Sequence, residues 1–291
     1  MNKFIKSFFI PVLLTLISCV PLVTQTKTKE FNGTNAYDLI IKQLSFGPKF
    51  PGSPGHQKEV EWIEEQLLKL GWQVKRQYFN YKGLTLTNLI AHKDSSNNPI
   101  ILGTHFDTRR FADHDPIIQN RNLHVPGAND GASGVAVLLE LARILADDKN
   151  HFCWLVFFDR EDQGNTSDWD WIQGSSYFVS TLEVNPKSAI IIDMIGDRQL
   201  NIYSEGFSNK TLQVDIWREA FELGFGEHFI SENKYFLIDD HKPFIDKGIP
   251  SVLLIDFDYP YWHTTQDTLD KISSESLKMV GSTLLKWIYI Q

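Results

Sequence analysis

The chain predicts an α/β fold in one domain, and three features of its pattern carry that expectation. Short apolar runs at 99–103, 152–158 and 189–192 read as buried strands, and each leads within a few residues to histidine or acidic side chains. Runs of helical period lie between them, as where Val135, Leu138, Leu139, Ala142 and Leu145 repeat on one face. Strands that end in chemistry, with helices between, mark an α/β sheet whose ligands gather beyond the strands' C-terminal edges. At 291 residues the chain suffices for one large core and is short for two enzyme domains.

The elements follow in order. The turn cluster PGSPG at 51–55 precedes Val60, Ile63, Leu67 and Leu70 at helical spacing, and Gly71 then ends the helix because glycine accepts the left-handed cap conformation. Residues 72–79 alternate as a strand does, and 85–91 and 99–103 supply the second and third strands, the last delivering Thr104, His105, Phe106 and Asp107. The polar passage 109–126 has no periodicity and reads as a surface loop beside the site. Gly131 opens a helix, which puts Asp130 just before N-terminal amides. After the strands at 152–158 and 189–192 come a helix at 209–223, a strand at 251–255 and a closing helix at 274–290 carrying Leu277, Val280, Leu284 and Ile288.

Composition excludes several classes. A hydrophobic content of 42% rules out a disordered chain, and 36 acidic against 28 basic residues leave no basic excess for nucleic acid. Neither a GxGxxG between strand and helix nor a GxxxxGK[ST] is present, so nothing points to a nucleotide. Cys153, inside an apolar run, reads as a small buried hydrophobe without a disulfide partner.

The N-terminus is a separate object. Lys3 and Lys6 precede an apolar run at 8–17 that ends in Leu16-Ile17-Ser18-Cys19, which reads as an export signal over 1–19. The run is too short for a permanent transmembrane helix, which needs about 20 apolar residues. A small residue followed by Cys resembles a bacterial lipoprotein cleavage box, which implies a protein exported to the periplasm or cell envelope and anchored through lipidated Cys19. The alternative is a secretory signal cut nearer Gln25. Residues 20–35 then form a flexible tether, and 36–291 the one folded α/β domain.

The metal-ligating candidates are His105, Asp107, Asp130, Glu161, Asp162, Asp193, Asp239, Asp240, His241 and His263. Zinc takes three or four such groups, with an open position when it is catalytic. Any one aspartate after a strand can equally cap a helix or close a turn, so the set carries the argument. His114, His124, His151 and His228 stand in polar surroundings and read as surface residues.

The order THFD, GANDGASG, the acidic pair Glu161-Asp162, IIDMIGD, DDHKPF followed by GIP, and WHTTQDT resembles the zinc-dependent aminopeptidase superfamily from about residue 51 to the C-terminus. PGSPG, DDHKPF and Trp262 before His263 resemble its glutaminyl-peptide cyclotransferase branch. The resemblance implies an α/β/α sandwich around a central, mostly parallel, mixed and twisted sheet. It implies Asp130, Asp162 and His263 as ligands of one Zn2+, and Glu161 as the catalytic proton shuttle. A second ion, present in the aminopeptidases, would lie on His105 and Asp193 with Asp130 bridging. In the cyclases Asp193 and Asp239 would instead form a hydrogen-bonded acidic pair near the substrate.

Three positions depart from the pattern. Asp162 stands where the superfamily generally has Glu, Arg160 where it usually has Gly, and Leu253 where animal cyclases have His. A fixed charge at Arg160 is expected to lower the Glu161 pKa.

The implied activity converts the N-terminal glutamine of peptides or proteins to pyroglutamate with release of ammonia, by a monomer. Trp262, Tyr259 and either Trp169 or Trp171 are expected to wall the substrate pocket, against the alternative that they merely pack the lip of the sheet. The competing expectations are a two-metal aminopeptidase and an inactive lipoprotein binding module.

Overall fold

The computed structural model describes Met1 and residues 30–291, apart from 94–95, 149–150 and 167. Helices α1 (Gly33–Leu44) and α2 (Pro54–Lys69) lead into strands β1 (Gln73–Tyr81), β2 (Leu84–His92) and β3 (Ile100–His105). Then follow α3 (Ala132–Leu145), β4 (Cys153–Phe158), α4 (Gln173–Ser180), β5 (Ser188–Asp193) and β6 (Ile202–Glu205). The chain finishes with α5 (Lys210–Glu222), β7 (Phe229–Tyr235), α6 (Lys242–Asp246), β8 (Ser251–Ile255) and α7 (Ser274–Tyr289).

The main sheet has six strands in the order β1-β2-β4-β3-β5-β8. β1, β2 and β4 pair antiparallel, whereas β4, β3, β5 and β8 run parallel, as a mostly parallel mixed sheet should. The unbroken apolar runs have a direct cause, since successive side chains point to opposite faces and both faces are covered. Ile190 and Ile192 enter the core beneath α1, α2, α3, α5 and α7, while Ala189 and Ile191 enter the core beneath α4 and α6. The layers are therefore α/β/α. Every residue of α3 except Arg143 is buried, which makes it the central helix.

One expectation needs correction, and several elements were not expected. The tether cannot extend to residue 35, because Asn32 caps α1 by accepting from Thr34 N (3.0 Å) and Asn35 N (3.2 Å), and Phe31 packs against Gly281 of α7. The folded body thus begins by Phe31 rather than at residue 36. The small parallel pair β6-β7, with α1, α4 and α6, was not anticipated; β7 is mostly exposed, and β6 and α6 have only 4 and 5 residues to carry a period. The expected export signal, Cys19, the alternative cut near Gln25 and most of the tether lie outside the described residues. Among the described residues no helix is long and apolar enough to cross a membrane.

Candidate active site

His105 ends β3, Asp193 ends β5, and Glu161 and Asp162 follow β4, so the parallel strands deliver four groups to one edge. Asp130 arrives from the turn before α3, and His263 from the loop after β8. Two buried groups result, Asp130–Asp162–His263 and His105–Asp130–Asp193, each with ligand atoms within 4.8 Å of one another. His263 Nε2 lies 2.7 Å from Asp162 Oδ1 and 3.6 Å from Asp130 Oδ2. His105 Nε2 lies 3.2 Å from Asp130 Oδ1 and 3.0 Å from Asp193 Oδ1. A third group, Asp113–His114–His263, includes exposed His114.

The donor set fits a cation. Asp130 Oδ2 and Asp162 Oδ2 are buried and have no hydrogen-bond partner among the described residues. Burial pushes the Asp162 carboxyl well up, with Asp130 adding to the effect, and burial likewise raises Asp130. Burial, then the neighbouring Arg109, holds His263 well below the ordinary histidine range, so its imidazole is neutral and can offer a lone pair. Carboxylates gathered in a dry site repel one another until a cation neutralises them.

Neighbouring acids hold these groups in place. Asp107 is no member of either metal group; it accepts from Glu161 N (2.9 Å), Asp162 N (3.4 Å) and Gln163 Nε2 (3.1 Å), fixing the acidic pair. Asp267, the acid of WHTTQDT, accepts from Asn129 N (2.9 Å) and Asp130 N (3.2 Å) and fixes the other side. Asp240 is buried outside both metal groups, its carboxyl pushed to about 7 by burial. His241 Nε2 meets Glu205 Oε2 at 3.0 Å, away from either group.

Glu161 is 6% exposed. Burial raises its carboxyl well above the usual range, and Asp239, Asp162 and Asp240 raise it further against the opposing pull of His105. Arg160 does not act as expected. Its guanidinium stacks 3.6 Å from the Trp169 ring and 4.5 Å from that of Tyr81, and its charge acts on Asp107, Asp159 and Asp170 and is not among the leading influences on Glu161.

Beside Glu161 opens a cleft of about 220 Å³ lined by Asp130, Glu161, Asp162, Asp193 and Asp239, and by Trp171, Trp262, Phe257, Leu237, Ile238, Met194 and Ile255. Trp262 stacks on His263 at 3.9 Å between ring centroids, and Trp171 lies parallel to the same imidazole at 6.0 Å. Burial and then Asp193 raise the Asp239 carboxyl, and both acids line the cleft. Two expected walls are displaced. Tyr259 is 3% exposed and donates its hydroxyl to Asp267 Oδ1 at 2.7 Å, and Trp169 covers Arg160 instead. Phe257 and Leu237 take that place, and their adjacency to the WHTTQDT and DDHKPF segments was the available signal. Leu253 is buried in the core under α6, its N–H donated to Ser208 Oγ at 3.0 Å.

Comparison with known proteins places the whole fold among relatives. Residues 88–288 match Peptidase family M28. A glutaminyl cyclase of Bacteroides thetaiotaomicron, solved with N-acetylhistamine bound, superposes with a TM-score of 0.86 at 31% identity, over 91% of this chain and 99% of that one. A leucine aminopeptidase precursor from the same organism gives the same TM-score and identity over the same shares. The glutaminyl-peptide cyclotransferase of Boiga irregularis is 24% identical over 94% of this chain and 84% of its own. The chain belongs to Peptidase family M28, in its glutaminyl-peptide cyclotransferase branch.

Proposed function

We propose that this protein is a glutaminyl-peptide cyclotransferase. The observation that carries the reading is the placement of Glu161, a buried carboxyl with a raised pKa, in a small cleft between the Asp130–Asp162–His263 group and the indoles of Trp171 and Trp262. Zinc held by Asp130, Asp162 and His263 would supply Lewis acidity toward the side-chain amide carbonyl of an N-terminal glutamine.

The chain's own residues do the rest. Trp171 and Trp262 hold the flat amide-bearing side chain. Glu161 accepts a proton from the α-amine as that nitrogen bonds to the side-chain carbonyl carbon, then gives it to the departing ammonia. One C–N bond forms, one breaks, and no water is consumed. Asp193 and Asp239 line the cleft around the substrate, and burial together with Asp239 keeps the Glu161 pKa high enough for both halves of that exchange.

The second buried group, His105–Asp130–Asp193, supports the alternative of a two-metal aminopeptidase. Mass spectrometry with two peptides separates the readings. A peptide beginning with Gln is expected to lose about 17 Da as ammonia, and one beginning with Leu to remain intact. Release of free Leu would replace the cyclase with the peptidase.

The sequence of residues 1–19 supports export as a lipoprotein anchored at Cys19. Lipid labelling of the wild type, absent from Cys19→Ala, is the expected result; label retained in the variant sinks this assignment.

A further inference from the structure

His263 presents Nε2 to Asp162 and Asp130, and its other nitrogen is unexplained by that role. Nδ1 is buried and has no hydrogen-bond partner among the described residues, and Asp113 Oδ1 stands 3.7 Å from it. A metal-bound imidazole usually donates its second N–H to a carboxylate or carbonyl, which sets the tautomer and the ring orientation. We infer that Asp113 is a positioning residue for His263: its carboxylate holds the imidazole proton on Nδ1 and so keeps Nε2 as the lone-pair nitrogen facing Asp130 and Asp162. This rests on the reading that Asp130, Asp162 and His263 hold the metal.

Asp113 is itself held in place. Arg109 donates Nε to its Oδ1 at 3.1 Å and Nη2 to its Oδ2 at 2.6 Å, a two-point grip that fixes a carboxylate whose side chain is 36% exposed. The same guanidinium is 2% exposed, donates Nη1 to the carbonyls of Asp162 (3.2 Å) and Gly164 (2.8 Å), and lies 5.0 Å from the Trp171 ring. His114 N–H holds the His263 carbonyl at 3.2 Å from the same stretch of chain. One buried arginine therefore ties the orientation of one ligand, His263, to the backbone of another, Asp162. The loop 109–126, which carries Arg109 and Asp113, becomes part of the metal site without contributing a ligand.

The test is zinc affinity of the full chain, measured by competition with a chromogenic chelator for wild type, Asp113→Ala and Asp113→Asn, with the thermal midpoint of each metal-free protein alongside. Asp113→Ala is expected to weaken zinc about 10–100-fold. Asp113→Asn keeps an acceptor oxygen and is expected to recover most of that loss. Wild-type affinity in Asp113→Ala overturns the inference, whether or not the metal-free midpoint falls, since a structural brace alone would move only the midpoint. Where Asp113→Ala does not fold, NMR of zinc-loaded wild type labelled with 15N-histidine decides: the His263 proton must reside on Nδ1 and be protected from exchange, and a freely exchanging Nδ1 overturns the inference. Wild type that binds no zinc overturns the metal assignment itself, and this inference with it.

Discussion

His105 Nε2 lies 3.0 Å from Asp193 Oδ1, joining the C-terminal ends of two adjacent parallel strands by one buried contact. Burial alone would lower the His105 pKa, yet Asp193, Asp107 and Asp130 together raise it well above the usual value. The same three side chains, His105, Asp130 and Asp193, form the group that a second metal would occupy in a two-metal peptidase.

On the cyclase reading, metal analysis should find one zinc per chain. His105→Ala should keep that zinc while losing about 1–3 kcal/mol of stability, because Asp193 loses a buried hydrogen-bond partner. Two ions in the wild type, one of them lost in His105→Ala, would count for the aminopeptidase.

Glu161→Gln removes the proton acceptor and leaves the cleft's shape. Its kcat should fall about 10²–10⁴-fold, the range for a positioned acid–base group, with zinc content unchanged. A fall of less than tenfold would assign the proton transfer elsewhere.

Trp171→Ala and Trp262→Ala each remove an apolar wall worth about 1.5–3 kcal/mol, so KM for a Gln peptide should rise about 10–100-fold. Tyr259→Phe loses only its bond to Asp267, with a stability cost of about 1 kcal/mol and little change in KM. A large KM effect in Tyr259→Phe would restore that residue to the pocket.

Arg160→Ala should leave the acidic limb of the pH profile of kcat/KM where it is in the wild type, because the guanidinium stacks on Trp169 and Tyr81. An upward shift of that limb would mean that Arg160 does lower the Glu161 pKa.

Glu205 gives a pH dependence with a definite sign. Burial would raise its carboxyl, but the His241 ring and the N–H groups of Phe207 and Leu237 overcome this and hold it at about 2, below the ordinary 4.5. A depressed carboxyl stabilises the fold fully above the unfolded value and loses that contribution as pH falls through the folded one. Between pH 4.5 and 2 the thermal midpoint of the wild type should fall more steeply than that of Glu205→Gln. Parallel curves would show that the network at Glu205 does not depend on its charge.

The strands and the long helices were legible because burial imposes a period on them. β5 alternates between two cores, and α3 is apolar nearly all round because helices and sheet enclose it. α1 was missed because its buried stripe runs through Gly33, Ala36, Ile40 and Gln43, of which only Ile40 is a large hydrophobe. β7 was missed because most of its residues face solvent and carry no alternation.

The sequence by itself determined which groups reach the site, since parallel strands must end at a common edge and His105, Glu161, Asp162 and Asp193 all follow such strands. It also determined that Asp130 would sit at the start of α3. Only the tertiary structure decided what each group does there. Asp107 and Asp267 became braces because backbone N–H groups from distant segments point at them, and Arg160 turned to Trp169 because that ring is folded over it. Asp113 came to face His263 because Arg109 grips it there. Side-chain direction in a loop depends on partners that are remote along the chain, and only folding brings those partners within reach.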